Sequence, residues 1–334
     1  MLNVFYNPSY FKGFQKKVLI TKKFKYSIFF DIFVDFLYLF DLPYPNNIIQ
    51  SGPQMRMNHL IRGSKNNKDI HINKNKSDNN YIIQFDNFGQ KQLNEIIKNR
   101  NSNTKVLIGP LFTFDMDKKL DTFIKKYSFI KKLVATNSTL EYQKILHGYS
   151  STEHILVCPS GVSKEKDIMH KNNPNKIFDC LIYFKKRNPD ELQQIIKFLE
   201  QRKLSYNILK YGEYKNKHLE SLANNSRFGI VIDKTETQGF AILELMKMNL
   251  PLLVWDYNLN FYEGVEIKGT SVPLWDSRCG IKFHNIKEFD NTFNYFINNL
   301  DSFEPIKFIE ENLTYEKFFK NLINHFENKN NWTI

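Results

Sequence analysis

Short apolar runs alternate with longer amphipathic segments along most of this chain, and that alternation constrains its fold more than any other feature. Tyr81–Phe85 is strand-like, Lys91–Lys98 helical, and Lys105–Ile108 a strand ending at Gly109-Pro110. Lys118–Tyr127 then reads as a helix, Lys132–Ala135 as a strand and Leu140–His147 as a helix. Ile155–Cys158 is a strand ending at Pro159-Ser160-Gly161. Parallel strands need a crossover between them, so such an alternation implies a parallel sheet covered by helices on both faces.

A polar, charged stretch, residues 162–176, reads as a linker, and a second alternation follows it. Its strands are Phe178–Tyr183, Ser205–Leu209, Phe228–Ile232, Pro251–Trp255 and Ile281–Phe283. Its helices are Pro189–Arg202, Lys217–Ala223, Gly239–Met248, Phe289–Asn299 and Tyr315–Phe326. Upstream, Ser27–Phe40 has helical spacing, Asn46–Gln50 reads as a short strand, Ser51-Gly52-Pro53 as a turn and Gln54–Arg62 as a helix. Residues 64–80 look like a polar loop. The expectation is two doubly wound α/β domains, residues 1–165 and 175–334. Ligands of such sheets sit at the carboxyl ends of the strands, so the natural site is the cleft between the two.

Composition narrows the chemistry. The net charge of +12 attracts polyanions: nucleic acid, an anionic membrane surface or phosphorylated substrates. The basic residues are dispersed rather than gathered into an arm, which a compositional bias toward Asn, Lys and Ile explains equally well. The three cysteines, Cys158, Cys180 and Cys279, are far apart and form no C-x-x-C pair. The histidines show no paired ligand spacing. These features predict no disulfide framework, no structural metal and a reducing compartment. The most apolar stretch, Tyr26–Leu42, carries Asp31, Asp35 and Asp41. It is shorter than the ~20 residues a membrane span needs. With no signal peptide at the start, a cytoplasmic protein is expected, with peripheral contact to an anionic membrane open to it.

The richest segment is Ser226–Asp256. A buried strand runs into a polar turn holding Glu236, Thr237 and Gly239, then into a helix carrying Glu244. Thr237 is placed to cap that helix. Gly239 permits close approach of a ligand. The amides of Gly239, Phe240 and Ala241, at the positive end of the helix dipole, suit a phosphate oxygen. Glu236 and Glu244 have seven residues between them, and each carboxylate can accept two hydrogen bonds from a diol of a sugar or ribose. The same string is also what an ordinary strand–turn–helix with one capping acid and one surface acid looks like.

The string T-E-T-Q-G-F-A-I-L-E-L-M-K-M-N-L-P-L-L-V resembles the Glu–seven residues–Glu region of GT-B glycosyltransferases, through Glu236, Gly239, Glu244 and Pro251. It departs from that pattern at Gln238 and at Asn249, where a glycine is common. The form is similar to bacterial- or viral-type polysaccharide glycosyltransferases. The resemblance implies a GT-B fold, two Rossmann-like domains facing a cleft. It also implies transfer of a hexose-type sugar from a UDP- or GDP-sugar to a hydroxyl of a glycan or lipid-linked acceptor, with no cofactor or metal. Glu236 would contact the donor sugar and Glu244 the ribose. After Phe178–Tyr183, the run Phe184-Lys185-Lys186-Arg187 resembles the family's diphosphate loop, and Lys186 and Arg187 are expected to neutralise the leaving diphosphate. A Lys-Lys-Arg run in a basic protein is equally a solvated loop. Tyr211 could stack on the base or simply pack. Gly269–Gly280 lines the donor side or packs.

Gly52, Arg56 and His59 resemble the glycine turn and helix on the acceptor side, and Asp86 is a candidate acid at a strand end. Two rival readings remain: a non-catalytic protein of the same fold, and a basic nucleic-acid-binding protein. The second predicts strongly salt-dependent binding.

Overall fold

The computed structural model describes residues 2–5, 52–64, 70–72, 79–83, 87–111, 124–147, 154–162, 176–262 and 265–328. They fall into two compact units. One comprises strand β1 and Pro53–Gly161 together with the segment that starts at Tyr315; the other is Val162–Thr314. The expected elements at Ser27–Phe40 and Asn46–Gln50, and most of Lys118–Tyr127, lie outside the described residues, as does most of the 162–176 segment.

The first unit runs β1 (Leu2–Phe5), α1 (Gly52–Ser64), β2 (Ile70–Ile72), β3 (Asn80–Ile83), α2 (Asn87–Asn99), β4 (Lys105–Leu111), β5 (Ile130–Val134), α3 (Asn137–His147) and β6 (Ile155–Val157). Its six strands lie in the order β2-β1-β3-β4-β5-β6, and every pairing is parallel. Three local expectations change. Residues 64–80 are not all loop, because Ile70-His71-Ile72 forms edge strand β2 against β1. Only a partner 68 residues away in the chain supplies its ladder. Gly52 opens helix α1 instead of sitting in a turn before it. Strand β4 passes through Gly109-Pro110 to Leu111 with a register shift between Ile108 and Leu111. Proline has no N–H for the ladder, so the chain bulges there and resumes pairing.

The second unit runs β7 (Phe178–Phe184), α4 (Pro189–Gln201), β8 (Tyr206–Lys210), α5 (Asn216–Asn225), β9 (Ser226–Ile232), α6 (Phe240–Lys247), β10 (Leu252–Trp255), β11 (Leu259–Tyr262), β12 (Val265–Lys268), β13 (Gly280–Phe283), α7 (Phe289–Asn298) and α8 (Pro305–Asn312). The parallel sheet has the order β13-β10-β9-β7-β8, and β11 and β12 form a separate antiparallel ribbon. Chain order is thus 2-1-3-4-5 from the β8 edge, and the direction of winding reverses between β7 and β9. Right-handed crossovers on either side of that reversal put helices on opposite faces. Central β9 is buried at Ser226 and from Phe228 to Ile232, as a parallel strand covered on both faces must be.

The core beneath explains the chain's high Phe content. Phe198, Phe228, Phe289, Phe293 and Phe296 meet mostly edge to face, with centroids 4.6–5.8 Å apart. Such contacts contribute about 0.5–1.5 kcal/mol each beyond area burial. Helix α4 begins with a complete capping box. Asn188 accepts from the Asp190 amide at 3.0 Å, Glu191 accepts from the Asn188 amide at 3.2 Å, and Pro189 opens the first turn. Its buried face is Leu192, Ile195, Ile196 and Leu199.

The last helix, α9 (Tyr315–Glu327), belongs to the first unit, whereas its position in the sequence suggests the second. It buries Phe318, Phe319, Leu322 and Phe326. A Cβ at Gly63 of α1 would lie 2.6 Å from the Phe319 ring, so glycine lets the two helices touch. The Lys105 ammonium donates to the Phe326 carbonyl in the last turn of α9, where the helix dipole favours a cation. No helix among the described residues is long and apolar enough to cross a membrane. Cys158, Cys180 and Cys279 are all buried.

Candidate active site

In a sheet of order 2-1-3-4-5, ligands bind outside the carboxyl ends of the first and third strands. Here those are β7 and β9, and the residues just past them carry a cluster of charged side chains. Lys185 follows β7 directly, with its amide bonded to the Ile232 carbonyl at 2.9 Å. Asp233 follows β9 and is fully buried. The Lys185 ammonium ion-pairs with Glu236 and lies 3.7 Å from Asp233 Oδ2. It also sits 4.6 Å above the Tyr211 ring, a cation–π contact with an otherwise exposed side chain. Burial disfavours the charge on Lys185, but Glu236, Asp233 and Tyr211 outweigh it and hold the ammonium above the ordinary lysine range. Burial first, and the Glu236 carboxylate second, push the Asp233 carboxyl well above the usual carboxylate range despite Lys185.

This assignment differs from the sequence reading within one loop. Lys186 is exposed and adopts a positive φ of 52°, which turns it out of the β7 end. Arg187 is buried and fully engaged by the protein. Its Nε and one Nη meet both Glu191 carboxylate oxygens at 2.7 and 2.6 Å. The other Nη donates to the carbonyls of Asp233 and Trp255 at 3.0 and 3.1 Å. The guanidinium lies 3.8 Å from the Tyr257 ring centre and 4.7 Å from that of Trp255. Arg187 therefore ties together the chain ends leaving β7, β9 and β10, and the cation turned toward Glu236 is Lys185. Alternation past the strand end was the signal: Tyr183, Lys185 and Arg187 share one parity and are buried, and Lys186 has the other.

The helix after Glu236 begins at Phe240, with Gly239 as its N-cap in the left-handed conformation (φ 76°, ψ 52°). Thr237 therefore does not cap it. The glycine is required by that φ and not by crowding, since an added Cβ would meet its nearest neighbour, Glu236, at an ordinary 3.5 Å. Phe240 and Ala241 form the first turn of that helix, at the positive end of its dipole. Glu236 is held by its own amide, which donates to the Thr270 carbonyl at 3.0 Å. Thr270 and Ser271 are fixed in turn by buried Asp256, which accepts from Thr270 Oγ1 at 2.6 Å, the Ser271 amide at 2.8 Å and Ser271 Oγ at 3.0 Å. The irregular Gly269–Gly280 segment thus supports the Glu236 loop. Glu244 is buried on α6 and paired with Lys247.

Of the acceptor-side candidates, Arg56 and His59 fall in the first unit, and Gly52, at the start of α1, is grouped with the second. His59 is buried, and its Nδ1 is 2.7 Å from the Tyr315 hydroxyl of α9. That contact makes it part of the packing between α1 and α9. Arg56 falls on α1 with its side chain outside the described set, and Asp86 lies outside the described residues.

The fold and this cluster define a parallel α/β protein whose strand order reverses beside a buried lysine and two acids. No family model matches the chain, and no curated protein matches it. Solved structures do. An S. aureus TarM mutant, in complex with fondaparinux, α-GlcNAc-glycerol and UDP, is similar at 14% identity and a TM-score of 0.46, over 81% of this chain and 59% of that one. The lipopolysaccharide outer core galactosyltransferase WaaB is similar at 16% identity and TM-score 0.48, over 80% of each chain. WaaG, a glycosyltransferase involved in lipopolysaccharide biosynthesis, is similar at 9% identity and TM-score 0.41, over 87% and 94%. The chain spans less than two thirds of the length of TarM.

Proposed function

We propose that this chain is a GT-B glycosyltransferase that moves a hexose-type sugar from a UDP- or GDP-sugar to a hydroxyl of a glycan or lipid-linked acceptor. The observation that carries the reading is the Lys185–Glu236–Asp233 cluster at the β7/β9 reversal, next to the first-turn amides of α6. A buried ammonium beside a helix N-terminus favours a diphosphate. The charge that develops on the leaving group would be met by Lys185 and the amides of Phe240 and Ala241, donors already in place before reaction. Glu236, with its carboxylate part-exposed, would accept hydrogen bonds from the donor sugar. Glu244, already charge-paired with Lys247, would serve as a fixed acceptor for the ribose, and Tyr211 would offer its exposed ring to the base. The lysine and the helix dipole together supply the positive charge for which other transferases use a metal.

A thermal-shift titration with UDP, GDP and their sugars tests this. Ligand that binds only the native state raises stability by RT ln(1 + [L]/Kd), about 2.7 kcal/mol at 100 times Kd. Saturable stabilisation by one diphosphate, lost in Lys185→Met, supports the reading. A response to none of them at any concentration, with salt-sensitive binding to nucleic acid instead, would sink it.

A further inference from the structure

Lys185 faces two carboxylates, and its position treats them unequally. It ion-pairs with Glu236, whereas Asp233 Oδ2, buried and with no hydrogen-bond partner among the described residues, is 3.7 Å from the ammonium. That is too long for a hydrogen bond. Asp233 Oδ1 accepts from the Lys234 amide at 2.7 Å. The groups around Asp233 are few. Tyr183 comes from β7, Lys185 from the loop after it, and Tyr211 and Tyr214 from the loop after β8. Glu236 and Lys234 share its own loop, and Arg187 is bonded to its main-chain carbonyl. Among these, the phenols of Tyr183 and Tyr214 are raised, chiefly by burial, and so are neutral at ordinary pH. With both acids ionised, one ammonium would face two negative charges, one fully buried and one part-exposed, at the place proposed for a diphosphate. A buried site relieves that by binding a proton.

We propose that Asp233 is a positioning residue held as a neutral carboxylic acid, so that the Lys185–Glu236–Asp233 cluster carries no net negative charge when a nucleoside diphosphate approaches Lys185. This rests on the nucleotide-sugar reading of the site and adds to it a residue that acts through Lys185 and Glu236 without touching the substrate. The elevated carboxyl of Asp233 agrees with the geometry. Its proton comes from solvent and returns there when pH rises. An ionised Asp233 would then repel the diphosphate and draw Lys185 toward itself.

The test is UDP or GDP affinity as a function of pH, measured by calorimetry above about pH 7, where the terminal phosphate has finished titrating. In the wild type, affinity falls about tenfold per pH unit once Asp233 ionises. Asp233→Asn keeps the shape of the neutral acid and cannot ionise, so this alkaline loss disappears. A wild type that binds with no alkaline loss, or an Asn variant that keeps the same loss, overturns the proposal while the nucleotide reading stands. Failure of both nucleotides to bind at any pH defeats that reading instead. The protonation itself is then decided without ligand, by carboxyl-carbon NMR of the wild-type protein. One carboxyl titrating well above the others, with its midpoint lowered in Glu236→Gln, supports the neutral Asp233; all carboxyls titrating in the ordinary range refute it.

Discussion

Arg187 and Glu191, four residues apart, meet side to side, with both carboxylate oxygens at 2.6 and 2.7 Å from the guanidinium. Glu191 also closes the capping box of α4 and accepts from Tyr257 at 3.1 Å. One ion pair thus starts a helix and fixes the strand ends around the candidate site. Arg187 is buried and Glu191 half-buried, and removing the guanidinium also takes the donor from the buried Asp233 and Trp255 carbonyls, at about 1–3 kcal/mol for each buried group left unpaired. Arg187→Ala should lower stability by that order in urea denaturation. Exposed Lys186→Ala should stay within about 0.5 kcal/mol. Lys186→Gly should stabilise by about 1 kcal/mol, because glycine accepts the positive φ without strain.

Lys185 and Glu236 should act as a unit. Loss of a charge-stabilising donor typically costs 10²–10³-fold in turnover, as an order-of-magnitude guide. Lys185→Met and Glu236→Gln should each lower kcat/KM on a nucleotide sugar by about that factor, and the double variant by far less than the product. Initial rates of nucleoside diphosphate release read this directly, and multiplicative losses would show that the two side chains work separately.

Two glycines with positive φ should respond very differently to alanine. At Gly280 (φ 136°) a Cβ would lie 1.9 Å from the Leu252 carbonyl oxygen, on the strand that β13 pairs with. Gly280→Ala should prevent soluble expression or cut the melting temperature by more than about 10 °C, beyond the range of an ordinary substitution. At Gly239 only the left-handed backbone opposes alanine, so Gly239→Ala should cost about 1–2 kcal/mol. Melting curves of the two variants decide the ranking.

His325 on α9 predicts acid sensitivity of the first unit. Burial, followed by the nearby Lys131 and Lys105 charges, lowers its pKa from 6.5 to about 4. The native state therefore binds the proton less readily than the unfolded chain. This contribution to stability is full above pH 6.5 and is lost as pH falls toward about 4. Melting temperatures taken down that range should fall in the wild type and fall less in His325→Asn.

The His59–Tyr315 contact should report the docking of α9. Tyr315→Phe removes one buried hydrogen-bond partner, at about 1–3 kcal/mol. The loss should appear as faster amide exchange in α1 and α9, with the strands of the second unit unaffected.

The sequence by itself determined the class of fold. The spacing of apolar residues dictates which segments are strands and which helices, and alternation of the two leaves a parallel sheet as the way to bury both. It also located the Glu236–Gly239 turn, because a strand, a polar turn and a helix are local patterns. It did not assign Ile70–Ile72 to a strand or α9 to the first unit, since both are decided by partners far away in the chain. The same holds inside the site. Strand parity sets Lys186 apart from its neighbours Lys185 and Arg187. Only the three-dimensional arrangement turned Lys185 toward Glu236 and set Arg187 against the rings of Tyr257 and Trp255. Nothing in the sequence singles out Asp233, for the same reason: the field at a buried carboxyl is set by charges from other strands, which chain order does not bring together.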